Sequence, residues 1–132
     1  MEAMQSGKQK YLPGADLEDE DLSNLDLSRV NLAGANLVGA NLYGAKLEGA
    51  HLEGANLLGA NLAAADLRGN LLGANLMQVN LTGADLRGAN LRGVNLMGAK
   101  LTKASFAGAF LSGANLMSVN FQGVDLRGAD LR

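Results

Sequence analysis

Apolar and polar positions along this chain repeat with a period of five residues. Leucine recurs at every fifth position from Leu12 to Leu67, and again from Leu71 or Leu72 to Leu131, except that Phe106 and Phe121 replace it at two positions. We call this position the centre of a unit. The minus-two position is usually Ala or Val, the minus-one position is usually Asn or Asp, the plus-one position varies, and the plus-two position is usually Gly. The unit therefore reads A-(N/D)-L-X-G.

This spacing predicts short strands joined by turns. Residues two apart face the same side of a strand, so the centre and minus-two positions point inward, while the minus-one and plus-one positions point outward. The L-X-G-A segment is typical of a type II turn, whose third residue favours Gly because its φ is positive. A chain that turns in every unit with its apolar side inward must coil around an axis lined with Leu. We therefore predict an all-β solenoid.

The segment LRGNLLGANL, residues 67–76, is one residue short of the repeat. If Leu72 were the centre, the Asn70 amide would point inward at a cost of about 1–3 kcal/mol unless it found partners. If Leu71 is the centre, Asn70 and Leu72 point outward and Gly69 takes the inward minus-two position. We predict the second register. It gives a four-residue unit around residues 69–72, a missing Ala, a local kink and an unbroken coil.

Units such as AGANL, VGANL and RGADL, repeated over residues 12–132, resemble the pentapeptide repeat family, in particular its simple cyanobacterial members. The resemblance implies a right-handed quadrilateral β-helix with four units in each coil, one on each face, and about six coils. We number the faces one to four from the units centred on Leu17, Leu22, Leu27 and Leu32. Residues 1–11 lie outside the regular repeat and are expected to form an N-terminal tail or cap.

Composition narrows the classes of protein that fit. The 132 residues suit one globular domain, since 48 % are apolar and 18 % are charged. There is no apolar run of about 18 residues, and the opening MEAMQSGKQK does not resemble an export signal. We therefore predict a cytoplasmic protein without a membrane segment. A net charge of −2 also argues against nucleic acid as a partner.

Candidate catalytic chemistry is sparse. The chain has one His, His51, with Glu48 and Glu53 nearby in sequence, and no Cys. Neither a metal-ligand set nor a nucleophile with its base can be assembled from these residues. We expect no catalytic or metal site, no cofactor and no small-molecule substrate. The sequence indicates a protein that is not an enzyme.

The outward plus-one positions suggest a contact surface. With four units in each coil, the plus-one residues of face one stack about 4.8 Å apart. They approach the few hundred Å² that mark contact sites, and Met adapts readily to partners, although side chains half covered by the corner are the alternative interpretation. An outward aromatic ring at the minus-one position of face four extends the candidate set. The candidate protein-contact residues are Val38, Leu58, Met77, Met97, Met117 and Phe110.

Polar columns are predicted on the same register. The minus-one column of face one, Asp16 followed by Asn36, Asn56, Asn75, Asn95 and Asn115, is expected to form an amide ladder between rungs. On face three, the pairs Asp66/Arg68, Asp85/Arg87 and Asp125/Arg127 share an outward side, so Arg should neutralise the stacked carboxylates.

Charge is distributed unevenly along the axis. Residues 12–60 hold eight acidic and two basic residues, a charge of −6, whereas residues 61–132 hold four acidic and seven basic residues, a charge of +3. This dipole favours antiparallel or head-to-tail association, although dissolved salt screens it beyond about 8–10 Å. A bare C-terminal coil would also leave backbone groups free to pair. We predict a homodimer or end-to-end self-association.

Two functions follow as hypotheses. The preferred one is a rigid protein-binding or scaffold module, with an unknown protein partner and the apolar column of face one as its contact surface. The alternative comes from the resemblance, since some pentapeptide repeat proteins imitate B-DNA and bind DNA gyrase. A mimic about 29 Å long would need about 17 negative charges. This chain has 13 acidic residues offset by 11 basic ones.

Overall fold

A computed structural model describes residues 10–132. They wind into a right-handed quadrilateral β-helix in which each unit forms one face. Within residues 10–132 there is no helix, and the β-pairing consists of isolated parallel bridges rather than longer strands. The bridges join minus-one residues, from Tyr11↔Asn31 at one end to Phe110↔Asp130 at the other. Residues 1–9, which hold most of the predicted N-terminal tail or cap, lie outside the described part.

The spacing of the bridges confirms four units in each coil. Asp16 pairs with Asn36, which lies 20 residues further along the chain, and Asn36 pairs with Asn56. Four five-residue units occupy that separation. The predicted quadrilateral β-helix is therefore confirmed, and the columns deduced from the repeat are real stacks of side chains.

The core is made almost entirely of two repeat positions. Every centre from Leu17 to Leu111 is buried, including Phe106, and so is every minus-two residue from Val30 to Ala109 except Gly69. No polar or charged side chain is buried among the described residues. Full burial of one such Leu contributes about 1.5–3 kcal/mol, and the isolated bridges depend on this stacked core for their stability.

The turns have the geometry that the L-X-G-A pattern predicts. The minus-two N–H donates to the carbonyl of the preceding centre, as in Ala35 N to Leu32 O at 3.0 Å. The plus-two residue has positive φ, for example 67° at Gly34 and 60° at Lys103. A side chain in this conformation costs roughly 1–2 kcal/mol, so Gly is preferred there but not required.

The minus-one Asn or Asp stabilises its own turn. Its Oδ1 accepts a hydrogen bond from the plus-one N–H, as in Val38 N to Asn36 Oδ1 at 3.1 Å and Met77 N to Asn75 Oδ1 at 3.0 Å. This is the Asx-turn bond. The amide ladder predicted for face one is less complete, because only the first and third of its five pairs form a side-chain bond.

The short unit is accommodated by a tighter corner. Leu71 is fully buried and Leu72 is 46 % exposed, so Leu71 is the centre. The Gly69 N–H donates to Leu67 O at 2.7 Å, an i to i+2 bond that characterises a γ-turn. The rungs remain paired on both sides, through Asn70 N to Ala50 O and Asn90 N to Gly69 O, each at 3.0 Å.

Gly69 occupies the inward minus-two position of this unit, as predicted. A Cβ built on Gly69 would lie 2.6 Å from the Ala50 carbonyl oxygen and 3.0 Å from the Ala50 nitrogen. Both atoms belong to the backbone of the preceding rung and cannot rotate away. The tight corner therefore requires Gly for its lack of a side chain rather than for a positive φ.

The last coil separates from its neighbour on face two. The regular pattern would place hydrogen bonds from Leu101 N to Asn120 O and from Lys103 N to Gln122 O, but these bonds and the Lys100–Asn120 bridge are absent. A cavity of about 290 Å³ opens there. We call it the face-two slit; it is lined by Gly98, Ala99, Lys100, Leu101, Thr102, Ser118, Asn120 and Gln122.

Candidate functional site

The structure aligns five of the six predicted contact residues in one column. Bridges connect the minus-one residues of face one from Asn36 to Asn115, so the plus-one residues beside them stack in register. Backbone bonds such as Gly59 N to Met77 O at 3.0 Å fix this alignment. We call the column the face-one stripe; it consists of Val38, Leu58, Met77, Met97 and Met117.

The face-one stripe shows only part of its surface to solvent. Val38, Leu58, Met77 and Met97 are half-buried, whereas Met117 is 66 % exposed. Phe110, the sixth candidate, lies on face four and is therefore separate from the stripe. The candidate residues thus form one continuous apolar column with a well-exposed end, and one aromatic ring on another face.

Phe110 belongs to a second group of exposed side chains. The Arg92 guanidinium carbon lies 4.4 Å from the centroid of the Phe110 ring, a cation–π contact. Leu72 is exposed on the same face. Leu72 and Arg92 were not among the residues proposed from the sequence, although the short unit at residues 69–72 places both in the plus-one column of face four.

The minus-one residues already distinguish face four from the other faces in the sequence. The Asx-turn bond needs Asn or Asp at the minus-one position, or Ser as in Ser105. Units without it give up a hydrogen bond that contributes about 0.5–1.5 kcal/mol. Three of the five departures lie on face four. The minus-one residues that cannot form the bond are Tyr11, Lys46, His51, Lys100 and Phe110.

His51 and Glu53 form a close pair on face four. The His51 Nδ1 lies 3.4 Å from Glu53 Oε1, and that oxygen has no hydrogen-bond partner. Among residues 10–132, no group of three His, Cys, Asp or Glu side chains is placed to hold a metal ion. The pair therefore stands as one imidazole beside one carboxylate.

Face three carries the predicted ion pairs, which are confirmed. Arg68, Arg87 and Arg127 each bond both carboxylate oxygens of the Asp in their own unit, at 2.7–2.9 Å. Arg68 also reaches Glu48 at 3.3 Å on the preceding rung and Asp85 at 3.5 Å on the next, contacts between rungs that the sequence did not predict.

These contacts shift the titration of the Asp carboxyls. The side-chain hydrogen bond from Arg68 is the main cause that lowers the pKa of Asp66, and Arg87 acts in the same way on the pKa of Asp85. The Arg127 side chain lowers the pKa of Asp125 to about 2. On the first coil, the Ser23 and Ser28 hydroxyls lower the pKa of Asp21 and Asp26.

Comparison with known proteins places the repeat in context. A family described as Pentapeptide repeats (8 copies) matches residues 11–49, 40–69, 70–96 and 95–132. Among solved structures, the chain is similar to HetL, a pentapeptide repeat protein involved in heterocyst differentiation regulation from the cyanobacterium Nostoc sp. strain PCC 7120. The identity is 37 %, over 92 % of this chain and 70 % of HetL, with a TM-score of 0.45. No curated protein matches the chain.

Two further solved structures show the range of similar proteins. The pentapeptide repeat protein AT2G44920 from the Arabidopsis thaliana thylakoid lumen is 33 % identical over 83 % of this chain and 71 % of its own, with a TM-score of 0.33. QnrB1, a plasmid-mediated fluoroquinolone resistance protein, is 20 % identical over 92 % and 67 %, with a TM-score of 0.48.

The described residues include no helix of the length and apolar character needed to span a membrane. The predicted cytoplasmic location stays a prediction. The repeat match extends over residues 11–132 and agrees with the observed coil, so the chain belongs to the pentapeptide repeat family.

Proposed function

We propose that this protein is a non-enzymatic protein-binding module that presents the face-one stripe to a protein partner. One observation carries the proposal: the plus-one column of face one is apolar on five consecutive rungs. The same column on face two contains Thr82 and Thr102, and on face three it contains Arg68 and Arg87. A regular coil has no structural need for apolar residues in this column, as the other faces demonstrate.

The rigidity of the coil supports this function. Successive rungs are joined by backbone hydrogen bonds, such as Leu57 N to Asn75 O at 2.8 Å and Leu76 N to Asn95 O at 2.7 Å. A contact column on such a frame is already ordered before binding, so little conformational entropy is lost on association. The half-buried Met side chains can adjust their rotamers to a partner without movement of the backbone.

The test replaces two adjacent members of the stripe. Met77→Asp combined with Met97→Asp introduces two charges on neighbouring rungs, and Thr82→Asp combined with Thr102→Asp introduces the same charges one face away. Circular dichroism first establishes that both variants keep the fold. If the first variant unfolds, Met77→Gln with Met97→Gln replaces it, because Gln122 already occupies a plus-one position.

Affinity capture from native lysate is then compared for the three proteins. We expect at least one protein to be recovered with the unaltered chain and the Thr variant but lost with the Met variant. Titration of that protein, once purified, should show direct binding that the Met substitutions abolish. Recovery of the same proteins by all three chains would contradict the role of the face-one stripe.

Mimicry of DNA is the alternative function, and the acidic first coil favours it. Five acidic residues lie close together in the sequence there, and all five are exposed: Asp16, Glu18, Asp19, Glu20 and Asp21. On face three, however, Arg side chains neutralise the carboxylates, which leaves no continuous negative surface there. We expect no inhibition when the purified chain is added to a DNA gyrase supercoiling assay; inhibition would favour the alternative.

A further inference from the structure

Leu72 occupies a distinctive place at the middle of face four. It is 46 % exposed at a plus-one position. The bridges His51↔Asn70 and Asn70↔Asn90 stack its unit between the units that carry Glu53 and Arg92. Because all three residues are in the plus-one column, an exposed apolar side chain lies midway between a negative charge and a positive one.

Within residues 10–132, neither Glu53 nor Arg92 forms an ion pair with a permanently charged side chain. Arg68, Arg87, Arg127 and Arg132 each bond to an Asp in their own unit, but the unit of Arg92 has Asn90 in that place. Glu53 lies 3.4 Å from His51, which is charged only if protonated, and the Glu53 side chain is 34 % exposed although its Oε1 is covered. Both side chains therefore remain available to opposite charges on another molecule.

We propose that face four is a homodimer interface on which a second copy docks antiparallel, with Leu72 on the two-fold axis. An axis that lies in the interface, perpendicular to the coil axis, reverses the order of rungs but keeps each column opposite itself. Leu72 then contacts the partner's Leu72. Glu53 faces the partner's Arg92, and Arg92 faces the partner's Glu53, which gives two ion pairs around an apolar centre.

The remaining positions on face four are compatible with this arrangement. Reversal of the rungs places His51 opposite the partner's Asn90, and Ala33 opposite the partner's Ser112, so no like charges meet. A parallel two-fold dimer would instead exchange the two columns and set Leu72 against the partner's Asn70, which would bury an amide against an apolar side chain.

The charge along the whole chain favours the same orientation. Residues 12–60 carry −6 and residues 61–132 carry +3, so antiparallel docking places the acidic half of each copy beside the basic half of the other. Arg and aromatic residues such as Arg92 and Phe110 are common at the energetic centres of interfaces. One narrow face is a small interface, so we expect a weak dimer that exchanges with monomer.

Sedimentation velocity over a range of protein concentrations tests the proposal. We expect a reversible monomer–dimer equilibrium that Leu72→Asp abolishes, whereas Tyr43→Asp, at an equally exposed residue of face two, leaves it unchanged. Glu53→Arg alone and Arg92→Glu alone should each weaken the dimer by about tenfold or more, because each sets like charges opposite each other at two symmetric places. The double variant with both changes should restore association.

The absence of Cys from the chain permits an independent test of the two-fold axis. Leu72→Cys should form a disulfide-linked dimer under mild oxidation, because the two introduced thiols meet at the axis, whereas Tyr43→Cys should not. The Met77→Asp/Met97→Asp variant should dimerise normally, which separates this interface from the face-one stripe. A chain that is monomeric at every concentration, or a dimer indifferent to the charge exchange, would overturn the proposal.

Discussion

The tight corner at residues 67–71 and the face-two slit are two departures from one regular coil, and they differ in kind. At the corner a residue is missing, yet the rung bonds persist at normal length, as in Leu71 N to Asn90 O at 2.8 Å. At the slit every unit has five residues, yet the bonds between Lys100–Lys103 and Asn120–Gln122 are lost. The coil therefore keeps its hydrogen bonds where a unit is one residue short, and loses them at a place where every unit has its full length.

Side-chain volume accounts for the slit. Phe121 replaces Leu at a centre, and the minus-two residues on either side of it are Val119 and Val124 rather than Ala. Phe106 is also a centre, but its flanking residues are Ala104 and Ala109. There the ring is fully buried and Phe106 N still bonds to Asp125 O at 2.7 Å. One Phe is accommodated, whereas Phe with two Val overfills the wall.

Gly69→Ala should give the largest effect, because the tight corner brings residue 69 too close to the backbone of the preceding rung for a side chain to fit. The added Cβ would meet the backbone of Ala50 at 2.6 Å, and we expect a loss of about 2–3 kcal/mol in the free energy of unfolding. Gly59→Ala is the control: it adds a Cβ in open space at φ 66°, and should cost about 1 kcal/mol. Urea denaturation of both variants makes the comparison, and equal losses would show that the close approach to Ala50 is not the cause.

The two Phe centres should respond with opposite sign when they are shortened. Phe106→Leu removes ring atoms from a filled site and should cost about 1–2 kcal/mol. Phe121→Leu combined with Val119→Ala should cost nothing or stabilise the coil, because it relieves the crowded wall. Amide hydrogen exchange of Leu101 and Lys103 should slow as their bonds to the last coil form. Unchanged exchange would exclude side-chain volume as the origin of the slit.

Insertion of Ala between Gly69 and Asn70 should have a smaller effect, since it restores the unit R-G-A-N-L. We expect Gly69 to adopt the positive φ of an ordinary turn, and the free energy of unfolding to change by about 0.5 kcal/mol or less. Insertion of Ala between Asp85 and Leu86 is the control, because it displaces a centre and should disrupt the coil. Thermal unfolding followed by circular dichroism distinguishes the two, and a severe loss in the first variant would show that the corner is adapted to four residues.

The sequence predicted the core better than the surface. Period five identifies the inward residues, and the choice of Leu71 over Leu72 followed from the cost of burying Asn70. The slit was not predicted, because Val119, Phe121 and Val124 satisfy the apolar pattern while exceeding its volume. The amide ladder was overestimated, since a rotamer decides whether an Asn side chain bonds to its own turn or to the next rung. Leu72, Arg92 and Phe110 are brought together by the stacking of units on both sides of the short unit, and the repeat pattern alone does not indicate this group.

Lowering the pH should destabilise the coil at both the tight corner and the face-two slit, and this is the smallest of the expected effects. Asp66 precedes the tight corner and Asp125 lies in the coil that borders the slit, and Arg side chains lower the pKa of both carboxyls. A lowered pKa means that the stabilisation is complete above the unfolded value of about 3.9 and is lost as pH falls through the folded value, about 2 for Asp125. Asp66→Asn and Asp125→Asn keep an Oδ1 for the turn.

Each variant should therefore have a lower melting temperature than the unaltered chain near neutral pH, where the stabilisation is complete, and should lose less of it between about pH 4 and pH 2. Asp125→Asn should have the greater effect, because Arg127 lowers the pKa of Asp125 to about 2, whereas burial and the nearby Asp85 oppose the lowering of the Asp66 pKa by Arg68. Melting curves over this pH range make the measurement. If the Asp66 variant showed the greater change, the contacts of Arg68 with Glu48, Asp66 and Asp85 would stabilise the corner more than the pKa of Asp66 indicates, and the corner rather than the coil beside the slit would depend more on its charged side chains.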